Sequence, residues 1–160
     1  MLLLLSVFFL CTSILPLGIR PLIRPDEFRY AEIPREMLNS GDWTVPRLNG
    51  VRYFEKPAVG YQITAVCFAL FGENAFALRL PSALSVLLTA LFLYVLIYRN
   101  SRDPFLPGLT AGIYLCCGLV FGVGTFAVLD SQLTCMLSLC IMAFYFAWSS
   151  SGRRSAVCWL

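Results

Sequence analysis

The chain has 160 residues, of which 59% are hydrophobic and only 13% charged, with a mean hydropathy of +0.77. Its apolar residues fall in long blocks divided by short polar stretches, a pattern that excludes an ordinary soluble domain and points to a multi-span membrane protein. The net charge of +3 does not describe a nucleic-acid binder: the first polar loop mixes Arg20, Arg24, Arg29, Arg35, Arg47, Arg52 and Lys56 with Asp26, Glu27, Glu32, Glu36, Asp42 and Glu55 and has no continuous basic stripe.

All seven cysteines lie in apolar segments, and Cys116 and Cys117 are adjacent, so a disulfide framework is not expected. The chain contains no histidine, which excludes a local Cys/His metal set.

In chain order, residues 2–17 read as a first span closed by Pro16 and Gly18, with Arg20 at the membrane surface. A cleaved signal peptide is the alternative, but the segment has neither a basic start nor a small-residue cleavage site. Ala58–Phe71 is apolar but only 14 residues long, which suits an interfacial or re-entrant helix better than a crossing. Residues 78–98, 105–122 and 131–148 each approach the ~17–25 residues of a transmembrane helix. Arg99, Arg102 and Asp103 separate the first two, and Asp130 precedes the third. Residues 149–154 close that span and residues 155–160 resemble the opening of another, so the chain reads as the N-terminal part of a larger fold. Gly112, Gly118, Gly122 and Gly124 suggest close helix packing.

If Ala58–Phe71 does not cross, the turns bearing Arg99/Arg102 and Arg153/Arg154 share one side of the membrane, and the charged loop and Asp130 share the other. The positive-inside rule divides against itself, because the loop carries more Lys and Arg than both turns together. Its mixed charge and internal structure favour placing the loop outside.

Within the loop, Pro25-Asp26 reads as a helix start with Asp26 as N-cap, Tyr30, Ile33 and Met37 recur on one face, Pro34 is a candidate kink, and Asn39-Ser40-Gly41 ends the helix. Asp26, Arg29 and Tyr30 stand on the same side, just beyond a span. Glu55-Lys56 forms a second charged pair, fixed by Pro57 where the loop returns to the bilayer. These residues make either a functional site or a cap and headgroup anchors; Glu55 either serves that site or pairs with Lys56 or Arg52. Asp130 is likewise a second acidic site residue or a helix cap.

The stretch over residues 24–63, with its acidic pair, RYAEI, GDW, Pro-Arg-Leu-Asn-Gly and Lys-Pro exit, resembles the first periplasmic loop of GT-C glycosyltransferases related to protein O-mannosyltransferases, and FALRLPSAL at 76–84 continues the likeness. RYFEKP-x-x-GY at 52–61 and AVLD at 127–130 are most similar to the lipid A aminoarabinose transferases; Gln62 departs from the usual aromatic. The resemblance implies an all-α integral membrane fold of GT-C type, with a helical periplasmic loop over residues 18–77. It further implies transfer of a sugar, aminoarabinose, from undecaprenyl phosphate to lipid A at the bacterial inner membrane. Mannose or another sugar passed to protein or glycolipid, and an inactive fragment, are the alternatives. By the same resemblance Asp26 matches the catalytic acidic position, Lys56 with Arg29 and Tyr30 meets the donor phosphate, and Glu55 belongs to a divalent (zinc) metal site whose histidine ligands come from later in such enzymes. The partners implied are the polyprenyl-phosphate sugar, an envelope acceptor and membrane lipids.

Overall fold

A computed structural model of the chain describes residues 2–149, so the expectations for 150–160, including Arg153 and Arg154, lie outside the described residues. Helix α1, Leu2–Phe9, runs on through a π-turn at Leu10–Ile14 and a 3-10 turn at Leu15–Gly18. Pro16 lacks the N–H that a regular helix needs, and the winding tightens there before Ile19 bonds back to the Pro16 carbonyl at 3.1 Å. Within this segment the apolar helix Leu4–Gly18 is shorter than the 18 residues of a full crossing.

Helix α2, Asp26–Ser40, begins with Pro25 already in helical conformation, so Asp26 lies inside the helix and does not cap it; its carboxylate goes to Arg29. The helix continues through Pro34 and stops at Gly41, whose φ of +71° allows the left-handed turn that returns its N–H to Met37 at 3.0 Å. A hairpin follows, β1 Arg47–Leu48 against antiparallel β2 Val51–Arg52, with Asn49 and Gly50 both at positive φ. These are the backbone angles of a two-residue Asn-Gly turn, and they add a small β element to an otherwise helical chain. Both Glu36 carboxylate oxygens accept from the Gly50 N–H, which fastens the hairpin to α2.

Helix α3 is Ala58–Phe71, and α4, Ala75–Asn100, is capped by Asn74 Oδ1 accepting from the Ala77 N–H at 2.9 Å. The run expected as one span over 105–122 is instead two helices, α5 Leu106–Cys116 and α6 Gly118–Thr125, bent by 65° where Cys117 turns extended. Glycine at 118, 122 and 124 lowers the helix propensity on one side of the break. Of the four glycines, Gly124 has the close packing role: a Cβ there would meet Val86 of α4 at 2.9 Å, whereas Gly118 and Gly122 have nothing within 4 Å. Helix α7 is Asp130–Ser149.

Helices α4 and α7 are long and apolar enough to cross a membrane, and the bent α5–α6 pair makes a third crossing if taken as one span. At one end Ser82 donates to the Val128 carbonyl at 2.9 Å; at the other, the Tyr145 hydroxyl donates to Asn100. Helices α4 and α7 thus run in the same direction with α5–α6 returning between them. The charged loop and Asp130 lie at one end of the bundle, and Arg99 and Arg102 at the other.

Candidate functional site

The main apolar cluster gathers around α4, and a second one, Ile33, Met37 and Tyr61, joins the inner face of α2 to α3. The second cluster fixes the helix face from which Asp26, Arg29 and Tyr30 project. Tyr30 packs against Tyr61 with ring centroids 6.0 Å apart, and Leu129 closes over the same cluster.

Arg29 is the centre of the charged group. It pairs with Asp26 one turn back, donates to the Tyr53 hydroxyl at 3.3 Å and stands 3.7 Å from Glu55. The Tyr53 hydroxyl in turn donates to Glu55. Glu55 therefore pairs with Tyr53 and Arg29, not with Lys56 or Arg52. Residues two apart in nearly extended chain share a face, which puts Glu55 with Tyr53. The Asp26 carboxylate is the main influence raising the Arg29 pKa, so the guanidinium stays cationic. Burial, followed by the field of Asp26, raises Tyr30, and the hydrogen bond to Glu55 raises Tyr53, so both phenols stay neutral donors.

The structure thus brings Asp26, Arg29, Tyr30 and Glu55 together, with Asp130 close enough for its charge to act on Tyr30. The Asp130 carboxylate makes no hydrogen bond within the described residues, so it does not cap α7. Lys56 follows Glu55 in the chain, but no contact joins its side chain to this group; it is half-buried and has no carboxylate within ion-pair distance among the described residues. Gln62 ties α3 to the loop by donating to the Trp43 carbonyl at 2.8 Å.

Sequence reasoning missed Tyr53 and, more consequentially, the pair beneath the site. Glu27 and Arg79, 2% and 0% exposed, form a two-pronged ion pair with both N···O distances 2.7 Å. Arg79 also donates to the carbonyls of Leu17 at 2.6 Å, Arg20 at 2.8 Å and Pro21 at 3.0 Å. Glu27 accepts the N–H groups of Ile23 at 2.8 Å and Ala127 at 2.9 Å. Burial works to raise the Glu27 pKa, but Arg79 and the two backbone donors outweigh it and hold the carboxyl below its ordinary range. One buried network therefore locks the end of the first helix, the start of α2, α4 and the link preceding Asp130. The available signal was an arginine five residues into an apolar helix, a charge that needs a buried partner.

Among the described residues no three carboxylates or thiols come together as a metal cluster, and Glu55 offers one carboxylate already engaged by Tyr53 and Arg29. The donor set of these residues does not fit a divalent metal by itself.

Apolar crossings with a mixed-charge helical loop packed on one end define a helical integral-membrane protein. The family model for dolichyl-phosphate-mannose-protein mannosyltransferases matches residues 1–160, and the chain belongs to that family. It is 44% identical over 155 residues to the undecaprenyl phosphate-alpha-4-amino-4-deoxy-L-arabinose arabinosyl transferase of Erwinia tasmaniensis, covering 97% of this chain and 28% of that protein. It is 46% identical over 158 residues to arabinosyl transferase 1 of Sodalis glossinidius, covering 98% of this chain and 28% of that protein. The crystal structure of ArnT from Cupriavidus metallidurans in the apo state superposes with a TM-score of 0.89 at 30% identity, over 98% of this chain and 29% of that one. The same protein bound to undecaprenyl phosphate gives 0.84 at 32% identity, over 91% of this chain and 27% of that one. The chain spans less than a third of the length of these relatives.

Proposed function

We propose that residues 1–160 form the N-terminal part of a GT-C transmembrane domain that moves aminoarabinose from undecaprenyl phosphate to lipid A, with the charged loop facing the periplasm from the bacterial inner membrane. The observation that carries this is the charged group at the bundle end, Arg29 oriented by Asp26 and Tyr53, in a loop whose Lys56 has no ion pair among the described residues. The names of the relatives and of the ligand in the ArnT crystal structure support the same donor.

In this reading the leaving group is a lipid phosphate, and stabilising the charge it gathers is the largest catalytic contribution. Arg29 is held in place before the donor arrives, while Lys56 is free to turn toward it. Asp26 orients Arg29. A phosphate acceptor is already a nucleophilic anion and needs no base; a hydroxyl acceptor would need one. Glu55 accepts the Tyr53 O–H and holds that hydroxyl where its oxygen accepts from Arg29, and its part in a divalent metal site belongs to the proposal for the longer enzyme, with no step here routed through it.

Mass spectrometry of lipid A from cells with and without the gene tests the reading. Aminoarabinose-bearing lipid A should depend on the gene. Unchanged lipid A together with a changed protein or glycolipid glycan would overturn the acceptor assignment.

A further inference from the structure

The Tyr61 hydroxyl and the Nε of Arg29 are buried and have no hydrogen-bond partner among the described residues. Tyr61 is 1% exposed, its ring enclosed by Ile33, Met37 and Tyr30. Phenylalanine would fill that apolar setting equally well and would leave no polar atom unsatisfied. The titratable groups that act on the Tyr61 phenol are Tyr30, Tyr53, Glu55 and Arg29, which places it at the inner edge of the same group. Burial pushes its pKa up, so the hydroxyl stays protonated. Tyr61, Tyr30 and Gln132 help line a cavity of about 10 Å³, room for roughly one oxygen atom. Both unpartnered atoms carry a hydrogen to donate, so what satisfies them is an oxygen-rich acceptor.

We propose that Tyr61 is a further ligand-binding residue of this site, its hydroxyl donating to an oxygen of a phosphate group held by Arg29. This rests on the donor reading above. The hydrogen bond forms only with ligand bound, which explains a hydroxyl that does nothing for the folded chain alone. The chemistry is that of a phosphate monoester or diester, from a polyprenyl phosphate or from free phosphate.

The test compares wild type with Tyr61→Phe, both purified in mild detergent, by thermal unfolding and by binding of undecaprenyl phosphate and of inorganic phosphate. Tyr61→Phe should unfold at the same temperature as wild type or higher, and should bind undecaprenyl phosphate about tenfold or more weakly, the usual range for losing a hydrogen bond to a charged acceptor. Inorganic phosphate that fails to compete identifies the lipid-linked source; competition with an equal loss of affinity identifies phosphate itself, and both support the proposal. A lower unfolding temperature would show that the hydroxyl has a structural partner and would overturn it. Equal affinity of the two proteins for undecaprenyl phosphate would overturn it while leaving the donor reading intact, whereas wild type that binds neither ligand would overturn both.

Discussion

Replacing Arg79 by methionine should cost about 4 kcal/mol of stability, because the change removes one partner of a buried pair and leaves the other charged. Arg79 is fully buried and donates two hydrogen bonds to Glu27 and one each to the carbonyls of Leu17, Arg20 and Pro21. Methionine matches the aliphatic stem and offers none of these donors. Glu27, 2% exposed, would keep only the N–H groups of Ile23 and Ala127. Replacing both residues, as Glu27→Leu with Arg79→Met, removes the stranded charge and should recover roughly half of the loss. Recovery is incomplete because the three carbonyls and two N–H groups still lack partners. Thermal unfolding in mild detergent measures both variants, and the single change should lower the midpoint by about 10 °C. A loss below about 1 kcal/mol in the single variant, or a double variant no more stable than the single, would refute the account of this pair.

Lys56→Ala should lower sugar transfer in the full enzyme by about a hundredfold or more while changing stability by less than about 0.5 kcal/mol, since the lysine has no ion pair to lose among the described residues; transfer assays at matched protein levels and unfolding curves check both parts. Lys56→Arg should keep part of the activity, because the charge persists with a different shape. The Glu27 carboxyl is held below its ordinary value of 4.5, so its stabilising contribution is present above that value and is lost as the pH falls through the folded-state pKa. Acid unfolding followed by circular dichroism should accordingly show a weaker pH dependence in Glu27→Gln. Gly60→Ala would place a Cβ 2.5 Å from Leu129 and 2.9 Å from Gln132, so it should destabilise the chain by about 1 kcal/mol or more and lower transfer by shifting the segment that carries Asp130. Normal turnover and an unchanged unfolding midpoint in that variant would show that the segment yields freely.

What the residues determine by themselves is local. Runs of apolar side chains long enough for a bilayer mark α4 and α7, and the limits of α3 can be read from Pro57 and Gly72. Gly41 ends α2 and Asn49-Gly50 turns the hairpin because few other residues accept positive φ. The group of Asp26, Arg29 and Tyr30 was legible for the same reason, since one helical turn brings them together whatever surrounds the helix. Tertiary structure decided the rest. Asp26 as a cap and Asp26 as the partner of Arg29 are both compatible with the local sequence, and the helical conformation of Pro25 chooses between them. The bend at Cys117 falls within an apolar run whose hydropathy alone reads as continuous, and the pairing of Glu27 with Arg79 joins residues 52 apart. Periodicity reports which face of an element is apolar, but a buried charge acquires its partner only when two such faces meet, so the network that sets the geometry of the site exists only in the folded chain.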